Sequence, residues 1–226
     1  MIQNTRRTQR GEPALTRERI IAAAIDLLGA SGESGLTFRA LAAQLATGAG
    51  AIYFHISDKG DLLGAACDSI VVQALATANT QAAPQDRLRA ISLALFDAID
   101  AHPWVGAALS NAPGTMPTIR ILESVGQQVR ALDVPGDALW GATSALLSYI
   151  LGVAGQNAAN ARLGQARNID RVDFLNQLAN QWARLDASDF PFTRAVAAQL
   201  PLHDDRADFL AGIDLLLAGI TAHRSE

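Results

Sequence analysis

The chain has 226 residues, half of them hydrophobic, with a formal net charge of −4 and a mean hydropathy of +0.15; it can form one large domain or two small ones, with a real core in either case. Alanine dominates and aromatic residues make up only 5%, so an all-α fold is predicted. A single cysteine, Cys67, excludes an intramolecular disulfide framework and any cysteine-cluster metal site.

The acidic total hides an uneven distribution. Residues 6–19 hold Arg6, Arg7, Arg10, Arg17 and Arg19 against Glu12 and Glu18, while the rest of the chain carries most of the acids. One basic end on an acidic body is the footprint of a polyanion partner or of a solvated tail. Residues 1–15 contain no apolar run of signal-peptide length.

In chain order, Thr16 is a good N-cap for a helix through Ile20, Ile21, Ala24, Leu27 and Leu28, stopped by Ser31-Gly32 and Ser34-Gly35. Thr37 caps a second helix with Phe38, Leu41, Ala42 and Leu45 on one face. After a break at residues 46–48, a very short third helix carries Ile52 and Tyr53, and Ser57-Asp58 caps a long fourth through Leu62, Leu63, Ala66, Ile70 and Val71. Pro84 opens a helix through Leu88, Ile91, Leu95 and Ile99, and Pro103 sits where a first helical turn tolerates proline. A loop at residues 111–114 precedes a helix through Ile119, Leu122, Val125 and Val129.

Residues 138–161 contain no charge. They do contain Thr143, Ser144, Ser148, Gln156, Asn157 and Asn160 among many Gly and Ala, so a helix buried in a soluble protein is expected rather than a membrane span. Residues 162–170 read as a loop, and helices are expected over 174–185 and from 205 to about 223. No strand, repeat or low-complexity tract is visible. The expected organisation is a basic arm over 1–14, a three-helix helix-turn-helix domain over 15–62, and a larger helical-bundle domain over 63–226 that dimerises and binds a ligand.

Two short helices joined by a tight turn and preceded by a third match helix-turn-helix geometry. The specific signal is Leu41-Ala42-Ala43-Gln44-Leu45 followed by Gly50-Ala51-Ile52-Tyr53-Phe54-His55-Ile56-Ser57-Asp58-Lys59, with Leu62-Leu63. This closely resembles the DNA-binding signature of the TetR/AcrR family of transcriptional regulators, as do the upstream Leu15 to Ile20 and Gly35-Leu36-Thr37. The resemblance implies binding to double-stranded operator DNA in the cytoplasm, with Thr37, Tyr53, His55 and Lys59 donating to phosphates. Lys59 is the chain's only lysine.

Two positions depart from the family's pattern. Ala46 stands where glycine is common in the turn, and Gly48 where a serine or threonine usually caps the recognition helix. That helix begins Gly48-Ala49-Gly50-Ala51, without Arg, Asn or Gln for bidentate base contacts. Base reading is therefore expected from Thr47, from Ala49 and Phe54 against thymine methyls, and from Arg39, with Arg10 and the other arm arginines reaching a minor groove.

Further on, His102-Pro103-Trp104-Val105, the uncharged helix and the closing Phe209 to Ile220 resemble the tetracycline repressor branch of that family. The resemblance implies a homodimer through a four-helix bundle. Gly141, Ala145, Ser148, Gly152, Gly155 and Ala159 recur at spacings of four and three, a small-residue seam suited to a close partner helix. Ile213, Leu216 and Ile220 of the last helix would join them, and an internal contact within one subunit is the competing reading. The implied cavity for a small-molecule effector would draw on Trp104, Met116, Trp140, Tyr149, Gln156 and Asn157. No metal-ligating histidine stands in Ala108-Leu109-Ser110-Asn111, so neither tetracycline nor a required metal or other cofactor is expected.

An enzyme is not expected, because no nucleophile elbow, P-loop, dinucleotide fingerprint or His/Glu metal spacing is present. A second alternative keeps the regulator fold but reads DNA weakly, as the Gly/Ala-rich third helix invites.

Overall fold

A computed structural model describes residues 14–78, 82–112, 114–167 and 170–222, and every regular element among them is helical. The chain divides into two compact units, Met1–Ala66 and Cys67–Glu226. The residues of the expected arm up to 13, Arg10 among them, lie outside the described residues.

In the first unit, α1 (Arg17–Gly35) starts where Thr16 accepts a hydrogen bond from the Arg19 N–H at 3.3 Å. Its regular part ends at Gly32, whose φ of 64° breaks the helix before one further turn. The break expected at Ser31-Gly32 is thus present, while the second stop falls a turn later, at Gly35. The hydroxyl of Thr37 accepts from the Ala40 N–H at 3.1 Å and caps α2 (Phe38–Gln44); α3 (Ala49–Tyr53) has only five residues. Asp58 accepts from the Asp61 N–H at 2.8 Å and caps α4 (Lys59–Thr77), which runs without interruption across the boundary between the units. Ile20, Ala24, Leu28, Leu36, Leu41, Ile52, Ile56 and Leu62 form the buried core.

In the second unit, α5 (Pro84–Ala101) packs against α6 (Pro103–Asn111), α7 (Met116–Ala131), α8 (Leu139–Arg167) and a late helix. Its buried Leu88, Ile91, Leu95 and Ile99 recur every three or four residues, and Ser92 and Phe96 widen that stripe, so the helix offers a broad face to several neighbours. The chain continues through α9 (Arg171–Ala183), α10 (Pro191–Val196), a 3₁₀ turn (Ala197–Leu202) and α11 (Asp205–Ala222).

Two expectations are corrected here. Residues 162–167 are not loop but the continuation of α8; Ala161, Arg162, Leu163, Gln165 and Ala166 are strong helix formers that outweigh one Gly164. Residues 191–202 carry helical turns that periodicity did not reveal, because six residues with Pro201 inside are too few to show a period. No helix among the described residues is long and apolar enough to cross a membrane, the uncharged one included. Burial pushes the Cys67 thiol up to about 12, which makes it an inert core side chain.

α8 and α11 meet through a ring stack. Phe96 and Tyr149 both stack on Phe209, with centroids 4.7 and 5.6 Å away, and the Tyr149 hydroxyl donates to the Phe209 carbonyl at 3.2 Å. The phenol reaches that carbonyl only because residue 212 is glycine: a Cβ there would lie 1.9 Å from the Tyr149 hydroxyl oxygen. Arg89 to Asp214 at 2.6 Å and Arg206 to Asp97 at 2.9 Å pin α5 to α11 from outside. Gly212→Ala is expected to destabilise the second unit by about 1–3 kcal/mol through overpacking. In urea denaturation Gly212→Ala is expected to cost less in a Tyr149→Ala background than in wild type, because the hydroxyl oxygen and the ring carbons 2.4 and 3.0 Å from that Cβ are then gone; an equal cost in both backgrounds would show that the strain lies elsewhere.

Candidate functional site

The helix-turn-helix is held by contacts that span its short pieces. Between α2 and α3 the chain turns through Ala46, whose φ of 50° is left-handed, a conformation that costs an L-residue with a Cβ about 1–2 kcal/mol. The turn is closed by the Thr47 N–H donating to the Ala42 carbonyl at 2.9 Å. The sequence departure from glycine at this place is therefore met by strain and not by a different turn. Gly48 is the α3 N-cap and offers no side-chain hydrogen bond.

Ile52 buries one side of α3, and Tyr53 stacks flat on Phe38 with centroids 4.3 Å apart and planes 9° from parallel. Tyr53 is still 56% exposed, so packing and a phosphate contact are compatible for this ring. Phe54 is 88% exposed, a large apolar side chain offered to water at the end of a helix. His55 is half-buried, with its ring edge-on to Phe54. Thr37 and Arg39 are exposed on α2, Thr47 and Ala49 are half-buried, and Gly48 is exposed.

Two cations do work that the sequence did not reveal. Arg17, counted above among the charges of the basic end, donates to the His55 carbonyl at 2.6 Å and to Asp61 at 2.7 Å. Asp61 also accepts from the Ser57 N–H at 3.0 Å. One guanidinium thus ties α1 to the carboxyl end of the recognition helix and to the first turn of α4. The Arg17 guanidinium first, and the Ser57 N–H second, hold the Asp61 carboxyl below the usual carboxylate range. Lys59 donates to the Glu33 carbonyl at 2.7 Å; an ammonium has three donors, so two remain beyond this contact. The only available clue in the sequence was the Arg17-to-Asp61 charge pair, 44 residues apart, which no local pattern exposes.

The six residues expected to line one effector cavity do not come together. Trp104 is buried in the core, Tyr149 is committed to Phe209, and Asn157 donates to Asp100 at 3.1 Å. Trp140 is 69% exposed and Gln156 is exposed. Only Met116 borders a substantial groove, of about 580 Å³, formed by α4, α5 and α7 with Val72, Leu75, Ile91, Ile119 and Gln128 among its walls. The reason is directional: the six positions lie on different faces of their helices, which spacing within each helix does not relate to one another. Among the described residues no cluster of His, Cys, Asp or Glu could hold a metal ion.

The small-residue seam of α8 is open. Gly141, Ala145, Ser148, Gly152 and Ala159 are exposed, and nothing lies within 4 Å of a Cβ built on Gly141, Gly152 or Gly155. Gly155 is only partly so, because its Cα would lie 3.2 Å from a Cβ on Gly106 of α6. On α11, Leu216 and Ile220 are half-buried beside Gly141 in an apolar recess of about 380 Å³. Ile213 is corrected: it is fully buried in the core of its own subunit, one turn away from that surface, where Leu215 is 76% exposed instead.

Residues 20–66 match the model of the bacterial regulatory proteins of the tetR family. The chain is 50% identical to the solved transcriptional regulator SCO7222, a TetR from Streptomyces coelicolor, over 93% of this chain and 100% of that one, with a TM-score of 0.85. An HTH-type transcriptional regulator from Saccharopolyspora erythraea is 27% identical over 216 residues, covering 94% of this chain and 87% of that protein. BioQ of Mycobacterium smegmatis, solved with its natural double-stranded DNA operator, is 25% identical over 93% of this chain and 100% of its own, with a TM-score of 0.61.

The Arg17–Asp61 contact has a pH signature. A carboxyl whose folded pKa is depressed adds stability that is present above its unfolded pKa and lost as pH falls through the folded one. Asp61→Asn is therefore expected to lower the melting temperature near neutrality, with the gap to wild type closing as pH falls below about 4. A gap independent of pH would mean that the charge of Asp61 contributes nothing.

Proposed function

The chain belongs to the TetR family of bacterial regulatory proteins, and from that premise we propose that it is a repressor that holds operator DNA as a homodimer and releases it when a small molecule binds its larger unit. The observation that carries the reading is the exposed edge of the helix-turn-helix, where Thr37, Arg39, Tyr53, Phe54 and Lys59 all reach solvent on a rigidly bracketed frame. Thr37 keeps its own O–H to donate while its oxygen caps α2. Thr37, Tyr53, His55 and Lys59 position the protein on phosphates, whereas Arg39, Thr47, Ala49 and Phe54 read bases, Phe54 through thymine methyls.

This division of labour is testable by mutation. Lys59→Ala weakens binding to all sequences alike and lowers the salt slope by about one. Arg39→Ala instead relaxes base preference at one position per half-site. Selection from a randomised operator pool separates the two; identical behaviour of both variants contradicts the split.

The dimer reading rests on the open α8 seam beside the α8–α11 recess. Because a Cβ at residue 152 has nothing within 4 Å in its own subunit and the position is exposed, Gly152→Leu is expected to leave the monomer folded and to force a close partner helix away. Sedimentation is expected to give monomers, and operator affinity falls with loss of the second reading head, which must engage a half-site about 34–36 Å along the duplex. An unchanged dimer assigns the seam to some other role. Release by an effector obeys linkage, so operator DNA weakens effector binding by the factor with which effector weakens DNA binding.

A further inference from the structure

Lys59 is exposed, and an exposed lysine ordinarily samples many rotamers. Here the Glu33 carbonyl, 26 residues earlier in the chain, holds its ammonium at 2.7 Å. That carbonyl belongs to a turn built with two glycines. Gly32 has φ 64° and ψ −170°, a combination essentially confined to glycine. It breaks the regular part of α1 and re-aims the peptides that follow. Gly35 then closes the turn on Ser31, since a Cβ at residue 35 would lie 2.2 Å from the Ser31 Cβ. A helix end is ordinarily made with one glycine. With two, the Glu33 carbonyl faces Lys59 and also accepts from the Leu36 N–H at 3.3 Å, while Leu36 enters the core.

The acceptor is as informative as the turn. A carboxylate would neutralise the ammonium, whereas a carbonyl holds it and leaves its charge intact. Lys59 forms no ion pair among the described residues, in contrast to Arg17 with Asp61. Carbonyls at a helix end carry a partial negative charge that favours a cation there.

We propose that the Gly32–Gly35 turn is a positioning element for DNA binding: through the Glu33 carbonyl it presents the Lys59 ammonium, still fully charged, to a backbone phosphate before DNA arrives. Gly32, Glu33 and Gly35 act through Lys59 and not on the DNA themselves. A side chain ordered in advance gives up less freedom on binding. The inference rests on the regulator reading, which supplies the phosphate.

Lys59 is the chain's only lysine, so isotope-labelled lysine gives a single side-chain signal whose NMR relaxation reads the hold directly in the full chain. Restricted picosecond-to-nanosecond motion is expected in wild type without DNA. The mobility of an unheld surface lysine overturns the proposal, and this measurement needs no variant. Gly32→Ala, which cannot keep the same turn, is expected to free that signal. It is also expected to weaken binding to an operator selected from a randomised pool by about two- to tenfold. In a Lys59→Ala background the same substitution costs no further affinity. The salt slope falls with Lys59→Ala but not with Gly32→Ala, because the charge is retained. A Lys59 signal unchanged by Gly32→Ala, or an equal loss of affinity in both backgrounds as a merely loosened fold gives, overturns the proposal. Wild type that binds no DNA sinks the regulator reading and this inference together, whereas DNA binding with a mobile Lys59 sinks this inference alone.

Discussion

A helix of five residues has no stability of its own, since it is far shorter than the length at which helix propagation repays nucleation. Everything asked of α3 in this chain depends on how its surroundings hold it. Ile52 anchors it in the core, the Phe38 ring supports Tyr53 from one side, and Arg17 grips the His55 carbonyl just past its end. The same guanidinium fixes Asp61 in the first turn of α4. The bracket therefore sets the direction of Tyr53, Phe54 and His55 together. At an interface where a misplacement of an ångström removes hydrogen bonds, that shared restraint matters more than any single contact.

The bracket also changes the electrostatic picture. Residues 14–66 carry Arg17, Arg19, Arg39 and Lys59 against Glu18, Asp26, Glu33, Asp58 and Asp61. Three of those four cations are used internally: Arg17 on the His55 carbonyl and Asp61, Arg19 on the Ala14 carbonyl, and Lys59 through one of its three donors. The folded helix-turn-helix is thus not a basic surface.

The second unit is organised differently, around one helix covered on several sides. α5 is buried by α6, α7, α8 and α11, and glycine is used where elements must approach: Gly106 near Gly155 and Gly212 beneath Tyr149. What is left uncovered is informative. The α8 seam is a row of small residues beside an apolar recess of about 380 Å³ with α11, whereas α4, α5 and α7 leave a larger groove of about 580 Å³.

The sequence by itself determined the helices with clear caps and periodicity, the helix-turn-helix, and the family, because Thr16, Thr37, Asp58 and Pro84 act through neighbours within a few residues and the signature from Leu41 to Lys59 is contiguous. It misjudged the end of α8 and the turns after residue 190, where propensities are weak or segments short. Tertiary structure alone decided which side chains share a site. Trp104, Trp140 and Tyr149 lie on helices the sequence located, yet helix rotation turns one into the core, one to solvent and one onto Phe209. The same holds for Ile213, buried where Leu215 is exposed. Rotation and packing of helices far apart in the chain leave no trace in local spacing, so the contact of Arg17 with Asp61 became visible only when the chain was folded.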